Sequence, residues 1–317
     1  MFILQPVIRP WKPYGWLSNM QPQLLIAIFS GLGAMLGWGF SEFATKKSVD
    51  KIGTISSLVW AHVFGSIILF SILLLQLFRT KTSVIFPANL SDWSGIIFFG
   101  TLQTVVYYFA YKGFEKGQVA ILSPIFASFA GLVALLSVLI FGEVLNPVFV
   151  PALLLIFGGV MLINLDLKSL KAKRIRISSI AGLKEIIIAT LLATVWTLGW
   201  DKFTKDKSWL VYTAFMFLFM TIAAFLIANF LKTNLSKVKS KAWKFLWLIA
   251  IGEVVAYLAI TLGYSTTSYT SIVAILSGAS SLPTIVLARL FLKEKITTIQ
   301  TVGSLIVITG IVLLSIS

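Results

Sequence analysis

The chain has 317 residues, of which 58% are hydrophobic and 12% are charged, and its formal net charge is +15. A soluble domain carries roughly twice that charged fraction, so the composition excludes an ordinary soluble protein and indicates an integral membrane protein. The chain contains no cysteine, which excludes disulfides, thiolate nucleophiles and cysteine-ligated metals.

The excess positive charge lies in short loops beside apolar runs. This is the pattern of basic residues that rest against lipid headgroups and set the orientation of membrane helices. The lipid bilayer is therefore the expected partner of these charges, and no nucleic acid is expected. The protein is therefore expected to be an integral membrane protein that crosses the cell (plasma) membrane several times.

Residues 1–21 contain three prolines and no long apolar core before a small-residue cleavage site. They are interpreted as an N-terminal arm rather than a cleaved signal peptide, and Met20 is an alternative start. Ten apolar runs follow, each approaching the ~20 residues that cross a ~30 Å hydrocarbon core. In chain order they lie at 22–45, 53–78, 94–111, 118–141, 147–165, 180–200, 209–231, 245–263, 269–292 and 297–316. We expect an all-α membrane protein with ten transmembrane helices.

Two halves of the chain repeat the same pattern in the same order. The third run contains Gln103-Thr-Val-Val-Tyr107, and the eighth contains Glu253-Val-Val-Ala-Tyr257. The fourth run begins Val119-Ala-Ile-Leu-Ser123, and the ninth repeats it as Val273-Ala-Ile-Leu-Ser277. The predicted organisation is a first five-helix repeat at 22–165, a basic linker at 166–179 and a second five-helix repeat at 180–317.

An odd number of crossings in each half makes the second half enter the membrane from the opposite side. Such a duplication is an inverted repeat with a pseudo-two-fold axis in the membrane plane. Most of the 26 basic residues fall on the side of the linker, so the positive-inside rule predicts that both termini face away from the cytoplasm. The spacing Gly33-x-x-x-Gly37 in the first run predicts a close approach of another helix.

Several short motifs resemble the drug/metabolite transporter superfamily, and its EamA-like branch fits best. They are Gly-Trp-Gly-Phe at 37–40, Ser-Pro at 123–124, Gly-Glu at 142–143 and Leu-Lys-Glu-Lys at 292–295. The resemblance covers about 22–316. It implies an inverted-repeat bundle with a central cavity that opens alternately to each side, although members are usually drawn with both termini in the cytoplasm.

Polar side chains in the third and eighth runs are the first candidates for a site. Glu253 lies near the middle of its run, where a buried carboxylate is costly and usually functional. Gln103 occupies the corresponding position, and Tyr107 and Tyr257 follow one helical turn later on the same faces. We predict that all four bind solute and that Glu253 carries the coupling proton. The alternative for Glu253 is a structural glutamate hydrogen-bonded to His62 or a tryptophan. The alternative for Gln103 is an amide that bridges two helices.

Aromatic residues and the single histidine complete the predicted site. Trp38, Trp60, Trp196 and Trp200 lie on the first, second and sixth runs, where they either wall a cavity for an apolar or cationic solute or mark the membrane interface. His62 is a second candidate for proton coupling, with an interfacial histidine as the alternative.

Two acidic residues near the ends of their runs have a lysine four positions later. These pairs are Glu42 with Lys46 and Asp201 with Lys205. The favoured interpretation of both is an ion pair at the membrane edge. Pro124 and Pro283 interrupt the fourth and ninth runs and predict helices that bend there.

The resulting function is secondary transport of a small organic solute, such as an amino acid, an amine or a related metabolite. No Walker motif is present, so ATP hydrolysis is not expected. No enzyme is expected either, because His-Glu-x-x-His and Gly-x-Ser-x-Gly are absent from the sequence, and neither a cofactor nor a metal is predicted. Protons are the candidate coupling ion. The alternative is a channel or a structural membrane protein without active transport.

Overall fold

The computed structural model describes residues 22–79, 85–116, 122, 125–165, 181–236, 238, 240–293 and 296–316. This part of the chain is helical and contains no strand. The predicted arm at 1–21 and the basic linker at 166–179 lie outside the described residues, as does Pro124.

Helices coincide with each of the predicted apolar runs. The first half contains α1 (Pro22–Ile52), α2 (Thr54–Arg79), α3 (Leu90–Lys116), α4 (Phe129–Leu139) and α5 (Phe149–Asn164). The second half contains α6 (Leu183–Thr204), α7 (Trp209–Phe230), α8 (Trp243–Thr266), α9 (Thr270–Ser277), α10 (Ser281–Leu292) and α11 (Thr298–Ile316).

Six helical segments of the described chain are long and apolar enough to cross a membrane. They are α1, α2, α6, α7, Ser240–Thr266 and Thr270–Phe291. The segments Ile125–Leu139, Phe149–Asn164 and Thr298–Leu314 are apolar but shorter, and α3 belongs to neither group. An all-helical, multi-pass membrane architecture is therefore confirmed, whereas the count of ten crossings stays a prediction.

The ninth run is divided into two helices. A 3₁₀ turn at Gly278–Ser280 separates α9 from α10, and Ala279 has a non-helical ψ of 16°. Pro283 lies in the first turn of α10, where backbone N–H groups have no intrahelical acceptor and proline is tolerated. The interruption predicted at Pro283 is confirmed, and it ends one helix and starts another.

Helix contacts between the two halves occur in matching pairs. In the first half α1 packs on α8 and α9, and in the second half α6 packs on their counterparts α3 and α4. The contact of α2 with α8 is likewise matched by that of α7 with α3. The counterparts α2 and α7 pack on each other, as do α5 and α11. The main contacts between the halves are therefore related by exchange of the halves.

Glycines let α1 and α8 approach closely. A Cβ atom on Gly37 would lie 2.6 Å from the carbonyl oxygen of Gly252 and 2.7 Å from the backbone nitrogen of Ala256. A Cβ on Gly252 would lie 2.7 Å from the carbonyl oxygen of Gly37. Because backbone atoms cannot move aside as side chains do, this crossing requires glycine. The close approach predicted from Gly33-x-x-x-Gly37 is confirmed.

Candidate solute-binding site

Tyr257 lies at the centre of a cluster formed by both halves. The spacing of four residues places Gln103 and Tyr107 on one face of α3, and Glu253 and Tyr257 on one face of α8. Gln103 Nε2 donates a hydrogen bond of 2.8 Å to the Tyr257 hydroxyl, and the hydroxyls of Tyr107 and Tyr257 lie 3.1 Å apart. Gln103, Tyr107 and Tyr257 therefore meet, and Glu253 lies one helical turn before Tyr257 on α8.

Three aromatic rings surround the ring of Tyr257. Trp38 contacts it edge-on with centroids 5.6 Å apart, Trp196 at 5.9 Å and Phe217 at 5.3 Å. Tyr257 itself is fully buried. The indole nitrogen of Trp38 and the amide oxygen of Gln103 are also buried, and neither has a hydrogen-bond partner among the described residues. The cluster thus keeps one donor and one acceptor available beside Tyr257.

Glu253 and His62 face each other in the membrane interior. Glu253 is 4% exposed and His62 1% exposed, and Glu253 Oε2 lies 3.7 Å from His62 Nε2. His62 Nδ1 lies 2.8 Å from the carbonyl oxygen of Leu58, so it must donate, which leaves Nε2 as the acceptor of a neutral ring. Within the described chain, neither Glu253 Oε2 nor His62 Nε2 has a hydrogen-bond partner. A proton on Glu253 Oε2 would neutralise the carboxylate, and a shift of the two side chains to hydrogen-bonding distance would let His62 Nε2 accept it.

A small void adjoins Glu253. Its volume is about 10 Å³, and Ser57 and Tyr111 are among the residues that line it. This is close to the space that one water molecule requires. His62 is held from the other side by Phe217, whose ring stacks on it at 5.2 Å. The imidazole is thus buried against Glu253 and an aromatic ring, and its depth in the membrane stays a prediction.

The predicted tryptophans do not all meet. Trp196 and Trp200 stack with centroids 5.8 Å apart, and their indole nitrogens donate to Phe99 O and Thr261 Oγ1, each at 2.9 Å. Trp196 also contacts Tyr257, so both belong to the cluster's surroundings. Trp60 instead donates to the carbonyl oxygen of Leu235 at 3.2 Å and packs on Trp243. No contact between Trp60 and the Tyr257 cluster is found among the described residues.

The two halves of this arrangement correspond to two matches with one family profile. The EamA-like transporter family matches residues 25–165 and again residues 181–316. The chain belongs to the EamA-like transporter family. This family is part of the drug/metabolite transporter superfamily, and its members are membrane transporters of small solutes rather than enzymes. The EamA-like chain is accordingly an integral, multi-pass membrane transporter built from two repeats.

Solved structures show the same fold. One crystal structure superposes with a TM-score of 0.73 over 90% of this EamA-like chain and 97% of the other chain. The two sequences are 16% identical, so the likeness is one of fold. No curated protein sequence matches the chain.

The predicted ion pair of Asp201 with Lys205 in this transporter is wrong. Asp201 has Lys202 as its neighbouring cation, at 3.7 Å, while Lys205 Nζ donates to the carbonyl oxygen of Thr267 at 2.6 Å. The reason is that α6 ends at Thr204 and Lys205 has an extended ψ of 127°, so the i,i+4 geometry is lost. Glu42 accepts hydrogen bonds from Ser280 and Thr284 at 2.9 and 3.0 Å, and the side chain of Lys46 lies outside the described residues.

Sequence reasoning missed a larger cavity at the end of α6. It has a volume of about 430 Å³, and Glu143, from the α4–α5 connection, lies at its wall. Glu143 accepts hydrogen bonds from the backbone N–H of Ser271 at 3.0 Å and from its hydroxyl at 2.6 Å, so it satisfies donors of the first turn of α9. Burial raises the pKa of Glu143, and these hydrogen bonds oppose the rise. The Gly-Glu motif at 142–143 was the only signal of this contact in the sequence.

Phe217 was also missed. It contacts both His62 and Tyr257 from α7, and a phenylalanine within a largely apolar helix gives no sign of such a position.

Proposed function

We propose that this EamA-like protein is a secondary carrier that moves a small organic solute by alternating access and couples the movement to proton binding at Glu253. The observation that carries the proposal is the pair Glu253 Oε2 and His62 Nε2, 3.7 Å apart and buried. An ionised carboxylate without a partner is costly in a membrane interior, and a proton removes that charge. Glu253 is therefore suited to take up and release a proton as the site opens.

The surroundings of Tyr257 suit a small amine, amino acid or related metabolite. Aromatic faces of Trp38, Trp196 and Tyr257 attract the apolar or cationic part of such a solute. The free Gln103 Oε1 and Trp38 Nε1 supply an acceptor and a donor for its polar groups. A solute bound here would satisfy groups that the protein leaves unpaired.

The matching helix contacts support ten crossings arranged as two inverted repeats. Exchange of the halves maps α1–α8 onto α6–α3, and α2–α8 onto α7–α3. Two arrangements of nearly equal energy then follow from the pseudo-symmetry, each open to one side of the membrane. Glu253 and Tyr257 belong to one half and His62 and Gln103 to the other, so motion between the halves would open the cluster.

The test uses the purified protein in proteoliposomes with a panel of labelled amino acids and amines. We expect a pH gradient to drive uptake of at least one of them, and preloaded unlabelled solute to accelerate entry of the labelled form. Glu253→Gln keeps the shape of a protonated carboxyl, so this variant should retain exchange and lose gradient-driven uptake.

Glu185→Gln is the matched control, because Glu185 pairs with Lys116 at the start of α6 and is not part of the cluster around Tyr257. It should behave as the unaltered protein. Uptake that ignores the gradient in every protein would contradict proton coupling. Entry without acceleration by preloaded solute would indicate a pore instead of a carrier.

A further inference from the structure

The cavity at the end of α6 carries both signs of charge. Its lining includes the acidic residues Glu143 and Asp201, the basic residues Lys202 and Lys205, and Thr270. Its volume of about 430 Å³ falls in the ~300–1,000 Å³ range of small-molecule sites. The cavity is therefore large enough for a metabolite and balanced in charge.

Asp201 is the buried carboxylate of this cavity. It is 4% exposed, and the nearest cation, Lys202 Nζ, lies 3.7 Å away, which is beyond hydrogen-bonding distance. Thr270, Lys202 and Lys205 all interact with its carboxylate. Glu143, by contrast, is engaged by Ser271 and adds negative charge behind Asp201. A buried carboxylate in this position favours an incoming cationic group.

The two lysines provide the opposite pole. Lys205 Nζ uses one donor on the carbonyl oxygen of Thr267, and an ammonium has three. The side chain of Lys202 is 53% exposed, and its ammonium lies 4.7 Å from the centroid of Phe141. Both lysines therefore keep donors for an anionic group.

We infer that this cavity is an outer binding site for a zwitterionic solute, whose ammonium faces Asp201 and whose carboxylate faces Lys202 and Lys205. A solute with a single charge would satisfy one pole and be repelled by the other. The inference rests on the proposed carrier function for its role, which is to load solute for the central cluster.

Helix α6 runs from the outer site to the cluster around Tyr257. Trp200 directly precedes Asp201 and stacks on Trp196, which contacts Tyr257. Five residues along α6 from Trp196 to Asp201 span ~7.5 Å. A solute moving from the outer site to Tyr257 would therefore have to displace these two buried tryptophans.

The experiment measures equilibrium binding to the full chain in nanodiscs. The probes are leucine and phenylalanine, each compared with its decarboxylated amine (3-methylbutylamine, phenethylamine) and its deaminated acid (4-methylpentanoate, 3-phenylpropionate). We expect each amino acid to bind about tenfold or more tightly than either analogue, which is about 1.4 kcal/mol. Asp201→Asn should lower the affinity of the amino acid to that of the acid, and Lys202→Gln with Lys205→Gln should lower it to that of the amine.

Asp206→Asn is the matched control, because it removes an exposed acidic side chain from the loop between α6 and α7. Asparagine tolerates the φ of 59° at this position. If Asp201→Asn does not fold, the variant of the two lysines decides. The outer site is overturned if neither amino acid binds, if an analogue binds as tightly, or if the variants bind like the control. Charge-selective binding that persists in Glu253→Gln, together with proteoliposomes that show no exchange, would refute the carrier and leave the outer site standing.

Discussion

Corresponding positions of the two halves carry different chemistry. Gln103 on α3 is a neutral amide that holds the hydroxyl of Tyr257, whereas Glu253 on α8 is a carboxylate that faces His62. The pseudo-symmetry of the bundle is therefore broken where charge lies deepest. A single ionisable carboxylate avoids the repulsion that two would create at this depth. In the proposed carrier, Glu253 is then the one group of the pair that binds and releases a proton.

Removal of one hydroxyl tests the role of Tyr257. Tyr257→Phe keeps the ring contacts with Trp38, Trp196 and Phe217 but leaves Gln103 Nε2 without its acceptor and Tyr107 without its hydroxyl partner. Because buried polar groups without partners cost about 1–3 kcal/mol, we expect the KM for the transported solute to rise about tenfold. Initial rates of exchange in proteoliposomes measure this change.

Tyr264→Phe is the control for this variant. Its hydroxyl is buried and has no hydrogen-bond partner within the described part of the chain, so its loss should leave thermal stability unchanged or raise it. An unchanged KM in Tyr257→Phe would show that the Gln103–Tyr257–Tyr107 contacts only hold the helices together.

Among the helices, the crossing of α1 and α8 sets how closely the two halves approach. Gly37→Ala would place a methyl group 2.6 Å from the Gly252 carbonyl oxygen and 2.7 Å from the Ala256 nitrogen. Overpacking of this kind costs about 1–3 kcal/mol, so we expect a lower melting temperature and slower exchange. Melting temperatures of the detergent-solubilised protein measure the first effect and counterflow rates the second.

Gly158→Ala on α5 is the matched substitution. A Cβ at Gly158 meets nothing within 4 Å, and alanine favours a helix by about 1 kcal/mol relative to glycine. This variant should be as stable as the unaltered protein or more stable. Equal melting temperatures for Gly37→Ala and Gly158→Ala would contradict the close crossing.

The helices were more predictable from the sequence than their ends and partners. Apolar runs are readable because hydrocarbon thickness dictates their length. The end of α6 at Thr204 is not marked by any apolar signal, and it decided that Lys205 reaches Thr267 and not Asp201. Likewise, Trp60 and Trp196 both lie in apolar runs and cannot be distinguished by sequence. Their different partners, Trp243 for Trp60 and Tyr257 for Trp196, are visible only in the packed structure. The residues facing the cluster on α3 and α8 were predictable because polar groups stand out in apolar helices.

For the whole molecule, exchange of the halves preserves the main helix contacts between them, as a two-fold relation requires. Two five-helix repeats with opposite orientation would place corresponding loops on opposite faces of the membrane. Repeats with the same orientation would place them on the same face. The second loop of each half, between α2 and α3 and between α7 and α8, therefore distinguishes the two arrangements.

The absence of cysteine from the chain makes this distinction measurable with single introduced thiols. Ile85 lies in the α2–α3 loop and is 70% exposed, and Ser236 is exposed in the α7–α8 loop. We expect a membrane-impermeant maleimide to label Ile85→Cys on intact cells and Ser236→Cys only after permeabilisation. The reason is that the positive-inside rule assigns the lysine-rich α7–α8 loop to the cytoplasm. If Ser236→Cys is labelled on intact cells and Ile85→Cys only after permeabilisation, the repeats are still inverted but the orientation of the protein in the membrane is the opposite one. Labelling of both from the same face would contradict inversion, and the two halves could then not form the two openings, related by a two-fold axis, that the proposed alternating access requires.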